Sequence, residues 1–322
     1  MTSTTAAGRV AGRDPRAGGP GLPLPLELIG LVGRAVVAVP AYMGGLALLL
    51  MASAASLVRF RRRCSQAAPF WATMKGELGW LLGVGGPLVA LVHVGMGSSL
   101  SLQAYFGSTF VDGTGAVVGV GLLRNMATQM TGMTMAGLLA LRFIPGLVGV
   151  RRRAGEIEPE DRGRFMGAVA APRLAAAALA TMLLSFWGFL VGSFVGWKSA
   201  GTMMGLSTNM YFLFFFRMIW FRDVIGLIVK GLAFGLAGAT VCCFEGLRAG
   251  DAARDGIGMS AADAGTKADD RGPDASEALS GRLVRAACLS MVSMLILNMT
   301  WFLMVYHAVP VFGPSLLQPP SP

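Results

Sequence analysis

Histidine, cysteine and charge are all scarce in this chain. Of its 322 residues only two are histidine and four are cysteine, and the charged types make up 14%. Cys64, Cys242, Cys243 and Cys288 show no Cys-x-x-Cys spacing and have no neighbouring histidine. That argues against a zinc site or a disulfide framework and favours small apolar packing residues. There is no G-x-x-x-x-G-K-[ST] phosphate loop, no H-E-x-x-H and no G-x-S-x-G, so any energy the protein uses must come from elsewhere. A membrane-bound lipid enzyme would need His, Asp, Glu or Cys gathered at membrane depth, and the sequence offers almost none.

What is abundant is apolar surface. With 54% hydrophobic residues and a mean hydropathy of +0.62, the composition lies far outside the range of soluble domains. Uncharged stretches run from Ala35 to Val58, Leu78 to Val111, Leu174 to Trp197, Ser199 to Phe216 and Ala286 to Tyr306, where about 20 apolar residues suffice for a spanning helix. The net charge of +10 does not indicate nucleic acid. Its arginines cluster beside apolar runs, as topology signals do.

The organisation follows from those clusters. Residues 1–22, with Arg9, Arg13 and Arg16 in a Gly/Ala/Pro-rich stretch, are expected to form a disordered tail. Arg34 spoils the short apolar core of a cleaved signal peptide. Residues 23–79 are basic at both ends of their apolar run, with Arg59 and Arg61 to Arg63 after it. A single crossing would put one basic cluster outside, so the expectation is an interfacial helix, or a re-entrant pair broken near Pro40; one extra span is the alternative.

The remainder, residues 80–312, is expected to supply five spans. These are Leu81 to Phe106, Gly115 to Val150, Leu174 to Trp197, Asp223 to Phe244 and Ala286 to Tyr306. The N-terminus is then cytoplasmic and the C-terminus extracytoplasmic. Met203 to Phe221 is expected to lie flat on the outer surface with its aromatics in lipid. Arg151 to Arg173 reads as a cytoplasmic loop of mixed charge with a short helix after Pro159. Residues 247–284 read as a polar, disordered loop and 313–322 as a tail. The fold class is thus all-α integral membrane.

Small residues recur at helix-packing spacing: Gly188, Gly192 and Gly196, then Gly231 and Gly235, then Gly115 and Gly119. Such steps let helix backbones approach closely. Within the spans, Arg124, Asn125 and Lys230 are the notable polar residues, since a charge in hydrocarbon costs several kcal/mol and usually faces a cavity or a partner. They read either as the lining of a polar cavity or as side chains snorkelling to an interface. His93 reads first as a packed, hydrogen-bonded residue. The run Met126, Met130, Met133 and Met135 suits a deformable apolar core.

LLRNMATQMTGMTMAGLLA (Leu122 to Ala140), YFGSTFVDGTGAVVGV (Tyr105 to Val120), APRLAAA (Ala171 to Ala177) and DVIGLIVKGLAFGLAGATVCCFEGL (Asp223 to Leu247) occur in this order. Together they resemble the MlaE/YrbE permeases, the membrane subunits of MCE-type ABC lipid transporters. Arg124, Lys230, Phe234, Gly235, Cys243 and Gly246 coincide with the family pattern. Asn125, Ala127 and Thr128 depart from it, standing where the family has Glu, Gly and Pro, so the chain resembles a divergent member.

The resemblance implies an MlaE-like fold and a permease dimer, with an identical or paralogous second half, that moves phospholipid or another lipid at the inner (cell) membrane. It implies no cofactor of its own, ATP being hydrolysed by a separate ABC ATP-binding subunit, and an extracytoplasmic MCE-domain partner. Arg124, Asn125 and Lys230 would contact lipid, while Glu156, Glu160, Arg162, Arg164 and Phe165 would lie in the ATPase-coupling loop. The alternative is a degenerate, non-transporting homologue that serves as scaffold or partner half.

Overall fold

The computed structural model describes residues 24–62, 67–107, 114–154, 158–262 and 272–308. The expected tails at 1–22 and 313–322 lie outside these residues. Among the described residues there is no strand, and six helical stretches are long and apolar enough to cross a membrane. The helices are α1 (Leu24–Arg62), α2 (Ala67–Gly107), α3 (Thr114–Gly121), α4 (Ala127–Arg153), α5 (Pro159–Met204), α6 (Thr208–Met218), α7 (Phe221–Ala262) and α8 (Gly272–Phe302). A π turn, Leu122–Met126, joins α3 to α4, so these elements make one apolar stretch, Thr114–Arg153.

The chain divides into two compact units, Met1–Gly45 and Leu46–Pro322. In the second unit, α4, α5 and α7 form the centre, with α2 along α5 and α8 along α7 and α4. Met135, Leu139, Phe143, Ile144 and Leu147 of α4 are fully buried there, against Ala177 and Ala180 of α5 and Ala239, Cys242 and Cys243 of α7. The alanines and glycines set how closely the helices approach. A Cβ at Gly235 would meet the Ala177 carbonyl oxygen and, at 2.6 Å, the Ala178 Cα; one at Gly231 would lie 2.8 Å from the Met182 Cα. Gly192 stands backbone to backbone against Gly97 of α2, and Gly196 leaves room for the Val118 side chain of α3. Gly188 leaves room for the imidazole of His93, which is buried and hydrogen-bonded through Nδ1 to the Val89 carbonyl at 2.8 Å.

Several elements differ from the sequence reading. The break expected near Pro40 does not occur, and α1 runs unbroken through it. Proline removes one donor and tilts a helix without ending it where apolar surroundings favour internal hydrogen bonding. Between Leu46 and Val58 this helix turns Leu49, Ser53 and Ser56 inward, and the Ser56 hydroxyl donates to the Gly167 carbonyl of α5 at 3.1 Å. Leu48, Leu50, Met51, Leu57 and Val58 are exposed, so this stretch has no polar face of the kind an amphipathic interfacial helix carries.

Of the loop expected from Arg151 to Arg173, the part from Pro159 onward is helical, because Pro159, favoured at a helix start, opens a 46-residue helix rather than a short one. At 1.5 Å per residue α5 is about 69 Å long, more than twice a hydrocarbon core.

The polar loop expected at 247–284 is largely helical as well: α7 continues to Ala262 and α8 begins at Gly272. Leu247 and Ala249 are buried, and Gly250 lies against the Arg151 side chain. Packing on α4 therefore extends α7 where composition suggested disorder. The middle of that expected loop lies outside the described residues.

Near the other end, α5 stops at Gly205, whose φ of 64° closes the helix in the left-handed region open to glycine. Ser207 then caps α6 by accepting from the Met210 amide at 3.3 Å. The aromatics of α6 do not all face outward as expected. Tyr211 and Phe215 are buried over Gly115 and Gly119, whose missing side chains make the room. Burial pushes the Tyr211 phenol up, so it stays a neutral hydroxyl.

Candidate functional site

The π turn, the start of α7 and the late turns of α8 converge on a polar cluster. The turn at Leu122–Met126 closes with the Ala127 amide on the Leu122 carbonyl, one residue wider than an α-helical turn. Such widened turns loosen the backbone ladder locally and are frequent at functional sites. Here the Arg124 carbonyl accepts from the Lys230 ammonium. The Arg124 side chain points the other way, with Nε 3.0 Å from Asp223 Oδ1, while Nη2 donates to the Met218 carbonyl at 3.5 Å.

Asp223 is in the first turn of α7, where a carboxylate complements the helix dipole. Its Oδ2 accepts from the Trp220 amide at 3.1 Å, one half of a capping box. Asp223 is 1% exposed and also faces Arg222, whose Nε lies 4.0 Å from Oδ1.

Lys230 is 2% exposed. Beyond the Arg124 carbonyl it reaches Asn298 Oδ1 at 3.5 Å and lies over the Phe302 ring, 5.8 Å from its centroid. Asn298 in turn donates through Nδ2 to Asn125 Oδ1 at 2.7 Å. The structure thus brings Arg124, Asn125 and Lys230 into one network. Lys230 does not snorkel to an interface; it is held inside the bundle by neutral oxygens.

Asp223 and Asn298 complete this network, and the sequence reading missed both as site residues. The signal for Asp223 was an acid at a helix start beside a chain with two intramembrane cations. For Asn298 it was a lone amide deep in an apolar run.

A second set of charges lies at the opposite end of the bundle, where α4 ends and α5 begins. Asp251 of α7 joins Arg151 of α4, at 2.6 Å, to Arg162 of α5. Arg164 is exposed and pairs with Asp161 at 3.3 Å, and Phe165 is half-buried. Glu160 is the second residue of α5, and Glu156 lies outside the described residues. Between the two ends, Glu77 of α2 binds Arg142 of α4 at 2.8 Å and faces Arg173 of α5 at 3.6 Å. Among the described residues no group of His, Cys, Asp and Glu is placed to hold a metal ion.

The family model described as Permease MlaE matches residues 78–267. The chain belongs to the MlaE permease family. The matched stretch is more than half of the chain and contains Arg124, Asp223 and Lys230 at one end of the bundle and Arg151, Arg162 and Asp251 at the other. Comparison with curated proteins returned no match. Membership places this all-α membrane protein among permeases, the membrane subunits of transporters, rather than among enzymes in the ordinary sense.

Proposed function

We propose that this MlaE permease is the membrane subunit of an ABC transporter that moves phospholipid or another hydrophobic lipid between the cytoplasmic membrane and an extracytoplasmic MCE-domain protein. The observation that carries the reading is the buried cationic network of Arg124 and Lys230 inside a matched permease. A buried charge is costly to maintain in a membrane, and here it is kept at the junction of three helices around a widened turn. Arg124 is 24% exposed and offers a guanidinium edge to a lipid headgroup, while Asp223 and the Met218 carbonyl hold that guanidinium and the Lys230 ammonium holds the Arg124 backbone from behind.

In this reading the end of the bundle with Arg151, Arg152 and Arg153 is cytoplasmic by the positive-inside rule. The start of α5, with Glu160, Arg162, Arg164 and Phe165, docks a separate ATP-binding subunit, since the sequence carries no phosphate loop of its own. A second copy or a paralogue forms the other half, and lipid passes between the halves. ATP binding at the partner shifts the dimer between two shapes through differential affinity.

Reconstitution of the permease with its ATP-binding and MCE partners tests this directly. ATP-dependent transfer of labelled lipid to the MCE protein is expected, with at least a tenfold loss in Arg124→Gln and Lys230→Met. Transfer that is unchanged in both variants would mark this chain as a scaffold or partner half instead.

A further inference from the structure

The two longest helices are tied together at the end of the bundle away from Lys230, and one carboxylate makes the tie. Asp251 lies beyond the family's last shared apolar block, in the part of α7 where a loop was expected. Its Oδ1 accepts from Arg151 Nε at 2.6 Å and its Oδ2 from Arg162 Nη2. Each oxygen therefore holds a different helix, α4 through Arg151 and α5 through Arg162.

An exposed ion pair alone would count for little, but this one is built on packed backbone. The Arg151 side chain is 7% exposed. Gly250, the residue before Asp251, lies so close to α4 that a Cβ there would fall 2.6 Å from the Arg151 Cβ. Leu247 and Ala249, just before it, are buried as well. α7 is thus seated on α4 at this point, and Arg162, only four residues into α5, is the group reached from outside that seat. Nearby cations are numerous: Arg152, Arg153, Arg164 and Arg248 are all exposed at this end. Without Asp251 between them, Arg151 and Arg162 would face each other as like charges.

We infer that Asp251 is a positioning residue that clamps the ATPase-docking start of α5 to α7, so that displacement of the docking segment moves the helix carrying Asp223 and Lys230. The inference rests on the permease reading above. α7 is suited to the task because it is a continuous helix, and Lys230 and Asp251 are about 31 Å apart along it at 1.5 Å per residue. A rigid element with both groups on it delivers a shift at one end to the other. Arg151 fixes where α7 rests, and Arg162 couples α5 to it.

The experiment measures lipid transferred per ATP hydrolysed in the reconstituted complex, alongside co-purification of the ATP-binding subunit. Asp251→Asn should lower that ratio at least fivefold while the ATP-binding subunit still co-purifies, and Asp251→Glu should restore it. Arg162→Gln cuts the same tie but leaves the Arg151 to Asp251 pair intact, so it should lower the ratio even if Asp251→Asn compromises folding. A ratio equal to wild type in Arg162→Gln and in any folded Asp251→Asn protein overturns the clamp and leaves the permease reading standing. Absence of ATP-dependent transfer by the wild-type complex overturns the permease reading, and the clamp with it.

Discussion

The ammonium of Lys230 donates to the backbone carbonyl of Arg124, not to a carboxylate. The acid at this site, Asp223, is occupied by the Arg124 guanidinium and faces Arg222. Backbone and side chain of one residue therefore hold two different partners, and the π turn at Leu122–Met126 is what lets them diverge.

Lys230→Met follows from that division. The substitution removes a buried charge whose direct hydrogen-bond partners are neutral oxygens, which is favourable. It also leaves the Arg124 carbonyl and Asn298 Oδ1 without their donor, at about 1–3 kcal/mol for an unsatisfied buried group. The two effects oppose, so the variant should fold with a stability within about 2 kcal/mol of wild type. Thermal unfolding in detergent checks this, and a large loss would mean that Lys230 is held for structure before function.

Asp223→Asn should be far more damaging to stability. Removing one partner of a buried ion pair typically costs about 3–5 kcal/mol. Because Arg124 is 24% exposed, the lower end, about 3 kcal/mol, is expected here. Combining it with Arg124→Gln should recover part of the loss, with a coupling of at least about 1 kcal/mol in a double-mutant cycle. Additive losses would show that the pair contributes no mutual stabilisation.

Glycines on the helix contacts and glycines on open faces should respond in opposite directions. Gly235→Ala places a methyl against the Ala177 carbonyl and the Ala178 Cα, forcing α7 off α5 at a cost of about 1–3 kcal/mol. A Cβ at Gly83 of α2 meets nothing within 4 Å. Gly83→Ala should therefore stabilise its helix by about 0.5–1 kcal/mol. Unfolding midpoints of the two purified variants, measured in the same detergent, separate the effects.

The spans were legible because hydrocarbon leaves long runs with little or no charge: those in α2, α5 and α8 are uninterrupted, and the stretches through α4 and α7 are broken only by single charges. Lys230 and Arg124 stood out for the same reason. The helix ends were not legible, because they depend on contacts that composition does not encode. α7 reads as ending near Phe244 by hydropathy, yet Gly246, Gly250 and Asp251 carry it onward by packing against Leu147 and Arg151 of α4. The partners of the cations were hidden too. Asp223 and Asn298 lie 99 and 173 residues from the groups they bind, Arg124 and Asn125, and no local pattern joins them.

The placement of α1 gives the last prediction. Arg34 precedes its uncharged run and Arg59 follows it, so the positive-inside rule keeps both flanks on the cytoplasmic side. Length and hydropathy instead qualify Val36–Val58 as a sixth crossing, and Leu48, Leu50, Met51 and Val58 are exposed. The contact of Ala52 and Ser56 with Gly167, the ninth residue of α5, puts the Arg59 end beside the basic clusters in either arrangement, and an unbroken helix without a polar face favours the crossing. Single cysteines at positions 34 and 59, in a background without the native cysteines, should react with a membrane-impermeant maleimide from opposite faces, position 59 from the cytoplasmic one. Labelling of both from the cytoplasmic face of inverted vesicles would instead keep α1 in the interface, as the charge placement alone requires.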